Sequence, residues 1–196
     1  MDALKMKRAF RVKKIRNLAE ANKANLLYQC GDEAWRKGNL RSAFRHFLIA
    51  ARAGMVPAFR VVGQFYDRGE GTARNEGAAL FWYRRAVQNG DYSAANNVGC
   101  IWRDRGKLAR ALRWFERAVQ LGDADASLNI ARVYLRRGDS VKARPYLQKI
   151  SRSPWATEQS KEEADLLLKK MTTKKGDPSG PKGRTSAHVP GRVTGG

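Results

Sequence analysis

Acidic residues are scarce: 18 Asp and Glu stand against 39 Lys and Arg in 196 residues, a formal charge of +21. Cysteine is scarcer, with only Cys30 and Cys100, too few for a disulfide scaffold or a cysteine zinc site. A reducing, cytoplasmic compartment is therefore expected. The longest unbroken apolar run, residues 78–83, holds six residues, far below the ~18 that a membrane-spanning helix needs. No apolar segment of about 7–15 residues follows the basic start, so a secretory leader is not expected. The two histidines, His46 and His188, have no Cys, His or carboxylate partner at metal spacing. Gly69-Glu70-Gly71 has no strand before it and no Lys-Ser/Thr after it, so it reads as a turn between helices. Asp123 and Asp125 suit a helix start better than an acid/base pair. These absences point away from an enzyme, and no cofactor or metal is expected.

What is present is a core and a basic surface. Hydrophobic residues make up 42% of the chain and aromatics 9%, too rich for a wholly disordered polymer. The positive excess lies mainly in residues 26–154, where Arg outnumbers Lys 19 to 4. Arg forks bind carboxylates and phosphates bidentately, so the bias suits an anionic partner as well as simple solubility.

Self-comparison decides the architecture. Residues 57–90, 93–122 and 125–150 align at fixed offsets. Ala58, Ala94 and Ala126 correspond, as do Val62-Gly63, Val98-Gly99 and Ile130-Ala131. So do the aromatics Tyr66, Trp102 and Tyr134, then Ala79, Ala111 and Ala143, then Trp82, Trp114 and Tyr146. A degenerate copy precedes them, with Leu26, Cys30-Gly31, Gly38, Ala43, Phe47 and Gly54. The period is 36 residues where the first full copy carries its loop and 32 elsewhere. Two apolar stripes at helical spacing within such a period predict a solenoid of helix hairpins. Gly38, Gly106 and Gly138 are placed to end first helices, and Gly54, Gly90 and Gly122 second helices. The fold class is all-α.

The stretch Ala58-x3-Val62-Gly63-x2-Tyr66-x2-Gly69-x-Gly71, followed by Ala79-x2-Trp82-Tyr83-x2-Ala86-x3-Gly90, resembles a Sel-one-like repeat. That family is the branch of the tetratricopeptide-repeat superfamily with a longer loop between the paired helices. The resemblance covers residues 26–150; it is strongest over 57–90 and shades into plain tetratricopeptide repeats over 91–150. Thr72 and Asn75 stand where the family usually has Val and Asp, and Asn75 still suits an N-cap. The resemblance implies a right-handed α-solenoid that binds other proteins, often peptide segments, on its concave face, and it implies no activity. Cys30 and Cys100 fall on first helices two repeats apart, beyond the ~7 Å reach of a disulfide, and read as small reduced packing residues.

The ends differ from the four repeats assigned to 26–154. In residues 1–25, Ala9, Val12, Ile15, Leu18 and Ala19 alternate with Lys and Arg at helical spacing. This predicts a basic amphipathic helix, read first as a cap on the first repeat, with nucleic acid, an anionic membrane surface or an organelle presequence as the other readings. Residues 155–175 run from acidic to basic and predict a capping helix over the far end. Residues 176–196, rich in Gly and Pro, are expected to be disordered.

The binding surface remains. Carried over by position from Val62-Gly63 and its equivalents, the groove side chains implied by the resemblance are Tyr28, Asp32, Trp35, Arg36, Arg60, Gln64, Asp67, Arg68, Asn96, Arg103, Arg132 and Arg136. Six arginines oppose two aspartates, with two aromatics at one end. This composition suits an acidic protein segment carrying an apolar anchor. The alternative is a nucleic-acid-associated protein, since rings and guanidinium groups also bind single strands. A further alternative for the strip is a solvated charged face.

Overall fold

The computed structural model describes residues 3–173. Within them the regular elements are nine helices and no strand: α1 Ala3–Arg36, α2 Leu40–Arg52, α3 Val56–Arg68, α4 Glu76–Gln88, α5 Tyr92–Asp104, α6 Leu108–Gln120, α7 Ala126–Arg136, α8 Ser140–Ser151 and α9 Glu158–Thr173. Successive helices form four hairpins, α1/α2 to α7/α8, and the second helix of each pair packs on the first helix of the next. The last second helix, α8, packs on α9. The chain is an all-α repeat solenoid, as the periodicity predicts.

Local chemistry sets the helix limits. Asn39, Asn75 and Asp139 cap the second helices by accepting from Ser42 N (3.2 Å), Ala78 N (2.9 Å) and Lys142 N (2.9 Å). Asp123 Oδ1 accepts from Ala126 N at 3.1 Å, so this aspartate serves the start of α7. Gly106 follows α5 with φ 69°, and Lys107 N closes the turn on Trp102 O at 2.9 Å. Gly71 is constrained twice: its φ is 63°, and a Cβ there would run into the carbonyl of Leu40. The long loop of the second hairpin thus lies directly on the start of α2.

Within each hairpin a residue lacking a side chain faces a large one. A Cβ on Gly31 would stand 2.9 Å from the Phe47 ring, and one on Gly63 would stand 2.6 Å from Tyr83. Gly99 meets Phe115 in the same way. Phe47, Tyr83 and Phe115 are all fully buried, and burying each ring contributes about 1.5–3 kcal/mol. In the last hairpin the equivalent residues are Ala131 and Leu147, both buried. Between hairpins, Phe44 of α2 lies edge-on to Tyr66 of α3 with centroids 5.1 Å apart.

The amino end departs from the expected organisation. No helix break separates residues 1–25 from the first repeat: α1 runs unbroken through 34 residues, about 51 Å at ~1.5 Å per residue. Its partner α2 has 13 residues and covers well under half of it. Lys13, Lys14 and residues 18–23 are exposed, Leu18 by 56%, and Ala24 is the first buried residue of the described stripe. The described part is an extension of the first-repeat helix rather than a lid folded over it. The side chains of Ala9, Val12 and Ile15 lie outside the described residues. At the other end α9 lies on α8: Ala164 is wholly buried, and Leu167, Leu168 and Met171 pack with Leu147 and Ile150. Residues 176–196 lie outside the described residues. Among the described residues, no helix is long and apolar enough to cross a membrane.

Candidate functional site

The first helices α1, α3, α5 and α7 carry the candidate groove residues, but the structure gives those residues different partners. Arg60 Nε donates to Asp91 Oδ2 at 3.1 Å, joining α3 to the residue that caps α5. Asn129 Nδ2 donates to Asn96 Oδ1 at 2.8 Å. Arg132 Nη1 donates to Asn129 Oδ1 at 3.0 Å, and its Nε donates to Glu163 Oε1 at 2.9 Å. A second bond to Oε2 makes the Arg132–Glu163 pair bidentate. One polar network therefore connects α5, α7 and α9 and contains two of the candidate groove residues plus Asn129.

The arginine strip is consequently not a row of uncompensated charges. Arg60 and Arg132 are partly buried struts between repeats. Arg103 Nε donates to its neighbour Asp104 at 2.9 Å, and Arg68 sits 3.6 Å from Glu70. Arg36 pairs with Asp32 at 3.1 Å within α1. These local pairs, each with at least one exposed side chain, contribute about 1 kcal/mol or less each. Arg136 is exposed at the end of α7.

The two aromatics are committed largely to the core. Tyr28 lies 5.2 Å from Phe47, and Trp35 lies 6.4 Å from Phe47 and 6.1 Å from Phe65, all edge-on. Trp35 keeps 41% of its surface exposed, so it is the more available anchor. Gln64 on α3 is half-buried.

Asp67 lies half-buried at the back of the strip, where Tyr83 donates its hydroxyl to Oδ2 at 3.4 Å. Burial raises the Asp67 carboxyl above its ordinary value, against the opposing Tyr83 hydrogen bond, and burial likewise drives the Tyr83 phenol well up. A carboxyl raised in the folded state binds its proton more tightly there than in the unfolded chain. Its stabilising effect is therefore complete below the unfolded value of about 3.9 and is lost as pH rises through the folded value. Asp67→Asn, which can still accept from Tyr83, should be more stable than the parent at pH 7. That advantage should vanish near pH 4, as urea midpoints at the two pH values will report.

Cys30 on α1 and Cys100 on α5 are half-buried free thiols. Burial pushes the Cys100 thiol up, which keeps it protonated and unreactive at neutral pH. Among the described residues there is no group of three His, Cys, Asp or Glu able to hold a metal ion.

Comparison with known proteins converges on one repeat type. The Sel1 repeat model matches residues 16–55 and 61–91, and a tetratricopeptide repeat model matches 93–122. Chitin synthase regulator SKT5 of Saccharomyces cerevisiae is 37% identical over 71 residues, which is 36% of this chain and 10% of that protein. A protective antigen of uropathogenic Escherichia coli with an SLR fold superposes with a TM-score of 0.66 at 25% identity, over 83% of this chain and 36% of the antigen. A Sel1 repeat protein from Oxalobacter formigenes gives 0.61 at 25% identity, over 79% of this chain and 64% of its own. The chain thus spans about a tenth of its curated relative.

Proposed function

We propose, because this chain is a Sel1-like repeat protein of the tetratricopeptide-repeat superfamily and hence a protein–protein interaction scaffold, that it holds an acidic protein segment along the concave face lined by its first helices. The observation that carries this reading is the division of labour among the arginines. Arg60 and Arg132 are occupied in holding repeats together. Arg68, Arg103 and Arg136 recur on successive first helices, and among the described residues none of them meets an acid of another repeat: Arg68 and Arg103 meet only a nearby carboxylate, Arg103 also bonding Cys100. Guanidinium groups at repeat spacing, exposed on Arg68 and Arg136 and half-buried on Arg103, can be met by carboxylates at matching intervals on an extended segment. Trp35 at one end supplies a partly exposed ring for an apolar anchor. The scaffold is non-catalytic in this reading, and the regulator named among its relatives supports an adaptor role.

A fluorescent peptide of alternating Glu and Leu tests the proposal on the full chain. Arg68→Glu with Arg103→Glu should weaken its binding at least about tenfold, equivalent to ~1.4 kcal/mol, with the helical circular dichroism spectrum unchanged. Arg52→Glu with Arg117→Glu, exposed on second helices, removes the same charge elsewhere and should weaken binding far less. Equal loss in both pairs would replace a groove with diffuse attraction, as in non-specific nucleic-acid binding.

A further inference from the structure

We infer that the chain carries a second binding site, for a phosphate-type oxyanion, in the cleft between α4, α5 and α6. The cleft has a volume of about 300 Å³ and is lined by Arg84 of α4, Trp102 of α5, and Arg110, Arg113 and Trp114 of α6. It involves none of the groove arginines and goes beyond the scaffold function proposed above.

Three arginines line this small space, and none of Arg84, Arg110 and Arg113 forms an ion pair with a carboxylate among the described residues. The contrast with the first-helix side is sharp, since there Arg60 and Arg132 each meet an acid one repeat away. Like charges gathered without a counter-charge are repulsive, and an anion reverses the sign of that interaction. Arg110 is also held in place. Its guanidinium lies 4.8 Å from the Trp102 ring centroid, a stacked posture that leaves the edge of the fork free to donate. The Trp102 indole Nε1 is buried beneath the cleft surface and has no hydrogen-bond partner among the described residues, so the ring meets a ligand through the arginines stacked on it and not through this donor.

The same rings argue for an oxyanion rather than a nucleobase. Trp102 is covered by two guanidinium groups, Arg110 and, at 5.1 Å, Arg105, so its face is occupied. Arg105 is itself neutralised by Glu76 at 2.9 Å, which leaves Arg84, Arg110 and Arg113 as the charges available to a ligand. Three forks with five donors each match the oxygens of a phosphoryl group better than a single carboxylate. Free phosphate and a phosphorylated side chain share this chemistry.

Inorganic phosphate titrated into the 15N-labelled full chain at constant ionic strength tests the site. The expected result is saturable movement of the Trp102 and Trp114 indole resonances, assigned through W102F and W114F, with no movement on titrating chloride. Arg84→Gln with Arg113→Gln, both exposed side chains, should weaken phosphate binding roughly tenfold, and Arg52→Gln with Arg117→Gln should not. The R68E/R103E protein should titrate like the parent, so failure of the groove and failure of the cleft are read separately. A phosphoserine peptide that binds more tightly than inorganic phosphate identifies a protein-borne ligand, and equal affinity identifies the free ion. Equal shifts with chloride, or equal loss in both arginine pairs, would overturn the site. So would a single-stranded oligonucleotide that moves the indoles while phosphate does not.

Discussion

Gly99→Ala should destabilise the protein by about 1–3 kcal/mol, the usual penalty for overpacking a core, and Phe115→Leu should restore most of that loss when added to it. The added methyl group has nowhere to go: it would enter the Phe115 ring, which is fully buried between α5 and α6. The last repeat shows the alternative arrangement, where Ala131 faces Leu147. The double variant copies that pair into the middle of the solenoid. Melting temperature is a suitable readout, because a chain of this size shifts by about 2–4 °C per kcal/mol. Phe115→Leu alone should be mildly destabilising, so the two changes together should cost less than their sum. A double variant as unstable as that sum would mean that the glycine answers to something other than the ring.

Ending the chain at Thr157 should have a larger effect, producing a protein that melts far earlier and aggregates. Helix α9 closes the solenoid with Ala164, Leu167, Leu168 and Met171 against Leu147 and Ile150, and without it that apolar face meets water. Leu147 and Ile150, both fully buried, would lose their cover at up to ~1.5–3 kcal/mol each, a large share of the roughly 5–15 kcal/mol that holds a small domain folded. Glu163→Gln provides the comparison, because it breaks the charge pair to Arg132 but leaves the apolar cover in place. With the Arg132 side chain 41% and the Glu163 side chain 35% exposed, its cost should stay near about 1 kcal/mol. Similar losses in the two proteins would assign capping to the ion pair and not to the buried face. Thermal unfolding by light scattering and circular dichroism separates these outcomes.

The fold was legible because its determinants are local and repeated. Helix ends follow glycines such as Gly106 and caps such as Asn75, and the second-helix rings recur at a fixed distance from Gly31, Gly63 and Gly99. The missing break in α1 was also visible: no Gly or Pro lies between Leu4 and Leu27, so nothing there ends a helix. The site was legible only in part. Placing Arg60 and Arg132 on first helices was within reach of the repeat alignment, but their partners lie in the next repeat. The usable signal was an acid 31 residues further on in both cases, at Asp91 and Glu163, one short of the 32-residue period. Tyr28 and Trp35 were placed by register, whereas their edge-on packing depends on how far α1 rotates against Phe47. The cleft at Trp102 draws on three helices, and no single window of sequence contains it.

The ties between repeats are unevenly distributed around the solenoid. Arg60 to Asp91, Asn129 to Asn96 and Arg132 to Glu163 draw one first helix toward the next, whereas Arg84, Arg110 and Arg113 on second helices have no carboxylate partner among the described residues. Viewed as a beam, the molecule is strapped from repeat to repeat along its first helices, whereas like charges gather along its second helices. The charge pairs among these are screened, with a range that mobile ions shorten from about 10 Å at 0.1 M salt to about 3 Å at 1 M, whereas the Asn129–Asn96 bond joins neutral amides and persists. The stiffness of the stack should therefore depend on ionic strength, and small-angle X-ray scattering at 0.1 M and 1 M salt is the measurement that reads it.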